Sequence, residues 1–156
     1  MSFTLKGEFT LANRNLHIAR TNKKDEFYTQ LPDIEREVSY YTKHFKNKVV
    51  YCNCDDPRVS KFFYYFYINF EKLGLKKLIA SCYVNQEIPI FSLEEPEKAV
   101  FIEYDGKNKI PFSEIKVSSL NGDGDFRSED CIELLKQADI VVTNPRFHYS
   151  GNMSRN

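Results

Sequence analysis

Apolar and polar positions along this chain follow two rhythms, one helical and one strand-like. Apolar residues at 34, 38, 41 and 45 recur at helical spacing behind Pro32-Asp33, which predicts an amphipathic helix with an acidic cap. Lys48 to Asn53 reads as a short buried strand. It runs into Cys54-Asp55-Asp56-Pro57 and a helix over Arg58 to Leu73, with Asp56 placed to cap it, Pro57 in its first turn and Gly74 at its stop. The stretch Phe62 to Phe70 is apolar nearly all round, so that helix should be covered on more than one side. Leu78 to Tyr83 is a second strand whose weak alternation implies burial on both faces.

The later half continues the alternation. Asn85 to Pro96 reads as a loop, and Ala99 to Tyr104 and Lys109 to Phe112 flank Asp105-Gly106-Lys107-Asn108, the signal of a β-hairpin, here an insertion at the sheet edge or over a helix. Ile115 to Leu120 is a further strand candidate. Ser128 is placed to cap a helix with Ile132, Leu134, Leu135 and Ala138 facing inward, and that helix leads into the strand Ile140 to Asn144, stopped by Pro145. Residues 1 to 24 support at most a loose strand or arm. Strand, acidic turn, helix is a nucleotide-binding arrangement, and in open α/β sheets ligands bind where strands open into loops at their carboxyl ends.

Composition narrows the class. At 156 residues the chain is one domain by length, with enough apolar and aromatic side chains for a real core. Its 22 basic and 22 acidic residues give no net attraction to a polyanion. The longest apolar run, Phe62 to Ile68, is too short and too rich in tyrosine to span a membrane, and no signal peptide is recognised, so the expected location is cytoplasmic, without membrane contact. Cys52, Cys54, Cys82 and Cys131 fit reduced, buried thiols better than a disulfide framework, and the three histidines stand at no zinc-ligand spacing, so no metal is expected. Asn121 to Phe126 lacks the acids of a calcium loop.

The chemistry gathers at Asp139 to Phe147, DIVVTNPRF. Alone, Asn-Pro-x-Phe is most often a strand end with an Asx-type turn. Three further motifs precede it in order: Asp25-Glu26-Phe27-Tyr28-Thr29, Cys54-Asp55-Asp56-Pro57 and Gly124-Asp125-Phe126. With proline in place of Arg146 the tetrapeptide would be Asn-Pro-Pro-Phe. On these residues, from about Lys24 to Pro145, the chain resembles the adenine-specific DNA methyltransferases that use S-adenosylmethionine, most closely the EcoRI type.

The resemblance implies a Rossmann-like methyltransferase sheet and a role for each motif. The amide oxygen of Asn144 and the carbonyl of Pro145 would accept hydrogen bonds from the exocyclic amine of adenine, and Phe147 would stack on the flipped base. Phe27, Tyr28 and Thr29 would lie over the methionine end of the cofactor, although Phe27 and Tyr28 could equally staple the next helix to the core. Asn53 and Asp55 belong to the turn that holds the cofactor's methionine and ribose; Asp56 is as well explained by helix capping. Asp125 would accept a hydrogen bond from the cofactor's adenine amine, with Phe126 packing against its ring. Two departures stand against the family pattern: there is no glycine between Tyr51 and Leu73, and no acid follows the second strand to bind ribose hydroxyls.

The pattern breaks at Arg146. One codon choice for Arg146 to Ser154, shifted by a single added base, reads Pro-Phe-Ser-Leu-Phe-Arg-Glu-Tyr-Val, which resembles the family's continuation. A one-base deletion would make residues 146–156 an aberrant tail and the chain the front part of a longer enzyme, weakly active or inactive by itself. Duplex DNA would then be gripped mostly by a region beyond this chain, and the sheet, stopped after the strand at Ile140, would leave an edge open to self-association. The alternatives are a non-catalytic remnant or protein-binding module that keeps the fold, and a methyltransferase acting on RNA or protein.

Overall fold

Along the strand Val49–Cys54 neighbouring side chains part company: Val50 and Cys52 join one buried cluster, Val49 and Tyr51 another. The strands Lys77–Cys82 and Ile140–Thr143 divide the same way, with Leu78, Ala80, Ile140 and Val142 on the first side and Ile79 and Val141 on the second. Strands buried on both faces need a layer of helix on each. The computed structural model, which describes residues 2–5, 9–12, 30–54, 56–83 and 98–143, shows those layers.

The elements in chain order are β1 (Ser2–Leu5), β2 (Phe9–Ala12), α1 (Leu31–Ser39), α2 (Thr42–Phe45), β3 (Val49–Cys54), α3 (Lys61–Ile68), α4 (Phe70–Leu73), β4 (Lys77–Cys82), β5 (Val100–Tyr104), β6 (Val117–Ser119), α5 (Glu129–Gln137) and β7 (Ile140–Thr143). They form a mixed α/β fold on one sheet of order β2-β1-β7-β3-β4-β5-β6. The three central strands β7, β3 and β4 run parallel, and every outer pairing is antiparallel. Residues of α1 to α4, notably Ile34, Val38, Phe45, Phe62, Phe63 and Phe66, fill one face, and Cys131, Leu134 and Ala138 from α5 and its end fill the other. The apolar helix is therefore core, as its lack of a polar face requires, with Phe45 and Phe66 ring centroids 5.4 Å apart.

Several boundaries differ from the sequence reading. The helix expected over Arg58 to Leu73 starts at Lys61, capped by Ser60, whose hydroxyl accepts from the Phe63 amide at 3.3 Å. Asp56 instead closes the turn before it, its carbonyl accepting from Ser60 N at 2.8 Å. The helix also breaks at Asn69, and α4 stops at Gly74 in the left-handed conformation. The helix built on positions 34 to 45 breaks at Tyr40-Tyr41 and begins at Gln30 without a side-chain cap; Asp33 pairs with Arg36 at 2.6 Å within α1. In α5, Cys131 rather than Ile132 faces inward, and Ile132 is 38% exposed.

Two corrections concern sheet edges. Lys109 to Phe112 is not the return strand of a tight hairpin: β5 pairs with β6, and a 3-10 turn at Phe112–Glu114 lies between them, its Phe112 ring seated on Phe63, Tyr64 and Tyr67. An aromatic seat on α3 outbids four residues of ladder. Nor is β7 open: β1 pairs antiparallel along its whole length, from Ser2 opposite Thr143 to Leu5 opposite Ile140, and β2 flanks β1. The backbone groups of a buried strand need partners, and residues read as at most a loose arm supply them. The loop expected over Asn85 to Pro96 lies outside the described residues, as does the 146–156 tail.

Candidate active site

The parallel register brings three strand ends together. Asn53 stands opposite Ser81 of β4 on one side and Thr143 of β7 on the other, so the carboxyl ends of β7, β3 and β4 form one continuous edge. Asn53 is half-buried there. Beneath it Tyr51 and Ser81 share a buried hydrogen bond of 2.6 Å, and burial pushes the Tyr51 phenol above its ordinary range. This pair ties β3 to β4 directly below the edge.

The Gly124-Asp125-Phe126 turn reaches that edge from β6. Gly124 has φ +79°, and a Cβ there would lie 2.0 Å from the Cys82 carbonyl oxygen, so only glycine lets this backbone rest on the end of β4. Carboxylates hold the turn in shape: Asp130 accepts from Asn121 N at 2.7 Å and Gly122 N at 3.2 Å, and Asp123 accepts from Asp125 N at 2.9 Å. Ser128 then caps α5, accepting from Cys131 N at 3.4 Å. The result turns Phe126 outward, 61% exposed, and leaves Asp125 half-buried beside it.

Arg127 was not singled out by motif, and it dominates the local chemistry. Its backbone amide and Nε donate to Asp125 Oδ1 at 2.8 and 3.0 Å, and its Nη2 donates to Oδ2 at 2.8 Å. The same guanidinium lies 5.4 Å from the centroid of the Phe126 ring. Those side-chain hydrogen bonds hold the Asp125 carboxyl down at about 2. The signal was present in the Asp-x-Arg spacing, which recurs at Asp56-Pro57-Arg58.

Of the sequence-predicted site residues, three are described: Asn53 near the end of β3, opposite Ser81, and Asp125 and Phe126, which follow Gly124 where it rests against Cys82 at the end of β4. Asn144, Pro145, Phe147, Phe27, Tyr28, Thr29 and Asp55 lie outside the described residues, although Asn144 follows directly in the chain on Thr143, the end of β7. Asp56 lies near the same edge with its carboxylate engaged by Arg58, whose amide donates at 2.9 Å and whose Nε donates to both oxygens at 2.9 and 3.0 Å. The hydrogen bonds from Arg58 lower its pKa. Directly after β4, where the sequence carries no acid, stands Tyr83, 54% exposed. The buried Cys52, Cys82 and Cys131 remain thiols. No helix among the described residues is long and apolar enough to cross a membrane.

Comparison with known proteins gives a single answer. The family model for the adenine-specific methyltransferase EcoRI matches residues 15–152. The chain is 58% identical over 137 residues to the type II methyltransferase M.EcoRI of Escherichia coli, covering 86% of this chain and 42% of that protein. It is 45% identical over 129 residues to the type II methyltransferase M.MgeORF184P of Mycoplasma genitalium, covering 83% of this chain and 36% of that one. It is 43% identical over 129 residues to M.MpnI of Mycoplasma pneumoniae, covering 83% of this chain and 35% of that protein. The chain thus spans about two fifths or less of the length of the curated relatives it matches. No solved structure matches it. With motif order, sheet and similarity in agreement, the chain belongs to the EcoRI family of adenine-specific methyltransferases.

Proposed function

We propose that this chain carries the cofactor-binding part, and the strand leading to the catalytic tetrapeptide, of a DNA methyltransferase that transfers a methyl group from S-adenosylmethionine to the exocyclic amine of adenine. The observation that carries the proposal is the shared edge: Asn53, Thr143 and the Gly124-to-Phe126 turn converge on the carboxyl ends of parallel strands, where a Rossmann-like sheet binds its ligand.

The residues present fit the cofactor. Asp125 offers a carboxylate acceptor for an adenine amine, Phe126 an exposed ring for its face, and Gly124 the close backbone approach that places both. Asn53 and Asp55 would hold the ribose and methionine end, with Phe27, Tyr28 and Thr29 over it. When bound, S-adenosylmethionine supplies an electrophilic methyl on its sulfonium. The adenine amine is a weak nucleophile because its lone pair is delocalised into the ring. Asn144 and Pro145 would accept hydrogen bonds from that amine through two carbonyl oxygens, turning the lone pair toward the methyl, while Phe147 stacks on the extruded base.

Duplex DNA is the proposed substrate, gripped largely by the part of the longer relatives that this chain does not span. Arg146, in place of a rigidifying proline, would loosen the loop that holds Asn144; a misplacement of about 1 Å costs on the order of a hundredfold in rate. The test is transfer of labelled methyl to adenine in duplex DNA. Turnover is expected from the restored full reading frame, lost in its Asn144→Ala variant and absent from the 156-residue chain and its Arg146→Pro variant. An inactive restored enzyme overturns the assignment, and clear turnover by the short chain overturns the division of labour.

A further inference from the structure

The geometry points to Arg127 as an occupant of the adenine subsite, which the cofactor must displace before it can bind. This inference rests on the reading of Asp125 and Phe126 as the adenine contacts. A guanidinium is a flat cation with parallel N–H donors, and an adenine edge is a flat ring with an amine donor; a carboxylate beside an aromatic face accepts either. Here the guanidinium has both. Nε and Nη2 of Arg127 take one oxygen each of Asp125, at 3.0 and 2.8 Å, while the same group covers the Phe126 ring at 5.4 Å.

The arrangement is local and reversible. The backbone amide of Arg127 also donates to Asp125 Oδ1, so the carboxylate keeps its orientation when the side chain leaves. The Arg127 side chain is 75% exposed, so it can swing into solvent without repacking the core. Asp123 and Tyr83 are the other titratable groups that act on it. Asp123 accepts from the Asp125 amide and remains in place to shape the turn after Arg127 has moved. An exposed ion pair holds its side chain weakly, so the latch lowers cofactor affinity by a small factor and does not close the site.

Calorimetric titration of the 156-residue chain with S-adenosylhomocysteine tests this, with circular dichroism confirming that each variant is folded. Arg127→Ala should bind about two- to fivefold more tightly than the parent chain, because the competing contact is gone. Arg127→Lys, which keeps the charge but loses the planar fork, should fall between them. Raising salt should tighten binding in the parent chain, by screening the latch, and leave Arg127→Ala unchanged in that respect, a response that a purely structural arginine would not give. Asp125→Asn and Phe126→Ala should weaken binding. Weaker or unchanged binding by Arg127→Ala, with Asp125→Asn and Phe126→Ala both impaired, overturns the latch and leaves the cofactor site standing. Full affinity in Asp125→Asn and Phe126→Ala, or no binding by any variant, overturns the adenine assignment and the latch with it.

Discussion

The corners Asp56-Pro57-Arg58 and Asp125-Phe126-Arg127 are built from the same parts and do different work. In each, the aspartate accepts from the amide and the guanidinium of the arginine two residues on, and a serine follows to cap a helix: Ser60 for α3, Ser128 for α5. The middle residue separates them. Pro57 is buried, and Phe126 stands in solvent. The same hydrogen-bond chemistry therefore makes a buried corner at one place and a solvent-facing one at the other. What surrounds the corner decides which. The first turns directly into the helix that fills the core, while the second follows a glycine whose backbone rests against the end of β4.

The largest effect expected from breaking this difference is at Gly124. Gly124→Ala forces a Cβ to within 2.0 Å of the Cys82 carbonyl at φ +79° and should destabilise the chain by about 2 to 4 kcal/mol in urea denaturation. Gly122→Ala, two residues away with its nearest contact at 3.5 Å, should cost less than about 1 kcal/mol. Equal effects from the two would show that the close approach to β4 is not what places the second corner.

Next come the caps. Ser60→Ala and Ser128→Ala should each lose about 1 kcal/mol, with the larger loss at Ser60, which is 3% exposed and leaves a buried amide without its acceptor. A larger loss at Ser128 would mean that the second corner carries more of the fold than its exposure suggests.

Phe126→Ala should change stability by no more than about 0.5 kcal/mol while weakening S-adenosylhomocysteine binding, since a ring 61% exposed contributes little to the core. A melt lowered by many degrees would recast Phe126 as a packing residue.

The smallest effect is on pH dependence. The Asp125 carboxyl sits at about 2, below the ordinary 3.8 of an aspartate, because Arg127 hydrogen-bonds its ionised form, and Asp56 is shifted in the same direction by Arg58. A depressed folded pKa stabilises above the unfolded value, so this contribution is complete above about pH 4 and disappears as pH falls through 2. Carbon-13 titration of the side-chain carboxyl carbons should show Asp125 moving back toward its ordinary range in Arg127→Ala, with Asp56 unmoved. A coupled change at Asp56 would mean that the corners communicate.

Legibility followed the range of the forces involved. The strands β3, β4 and β7 were readable because burial on both faces leaves an unbroken apolar run, and the core role of Phe62 to Phe70 was readable because a helix without a polar face must be covered. Ser128 was readable as a cap because capping is a contact between near neighbours. The start of α3 was misplaced because Asp56, Pro57 and Ser60 all carry helix-start chemistry, and only the turn closed on the Asp56 carbonyl selects Ser60. Of the candidate site, the Asp125-Phe126 pair and the strand end at Asn53 were readable as motifs, but the Arg127 guanidinium on Asp125 and Phe126 was not, because Asp-x-Arg alone does not say whether a corner faces core or solvent.

Local pattern was thus enough for the α/β alternation and for the ordered motifs that mark the family, since each depends on neighbours within a few positions. The assembled sheet alone determined that β1 covers β7, that β5 returns to β6 and not to Lys109 to Phe112, and that Gly124 rests on Cys82. Those contacts join residues far apart in the chain, and their free energy comes from backbone pairing and packing that no short window of sequence contains.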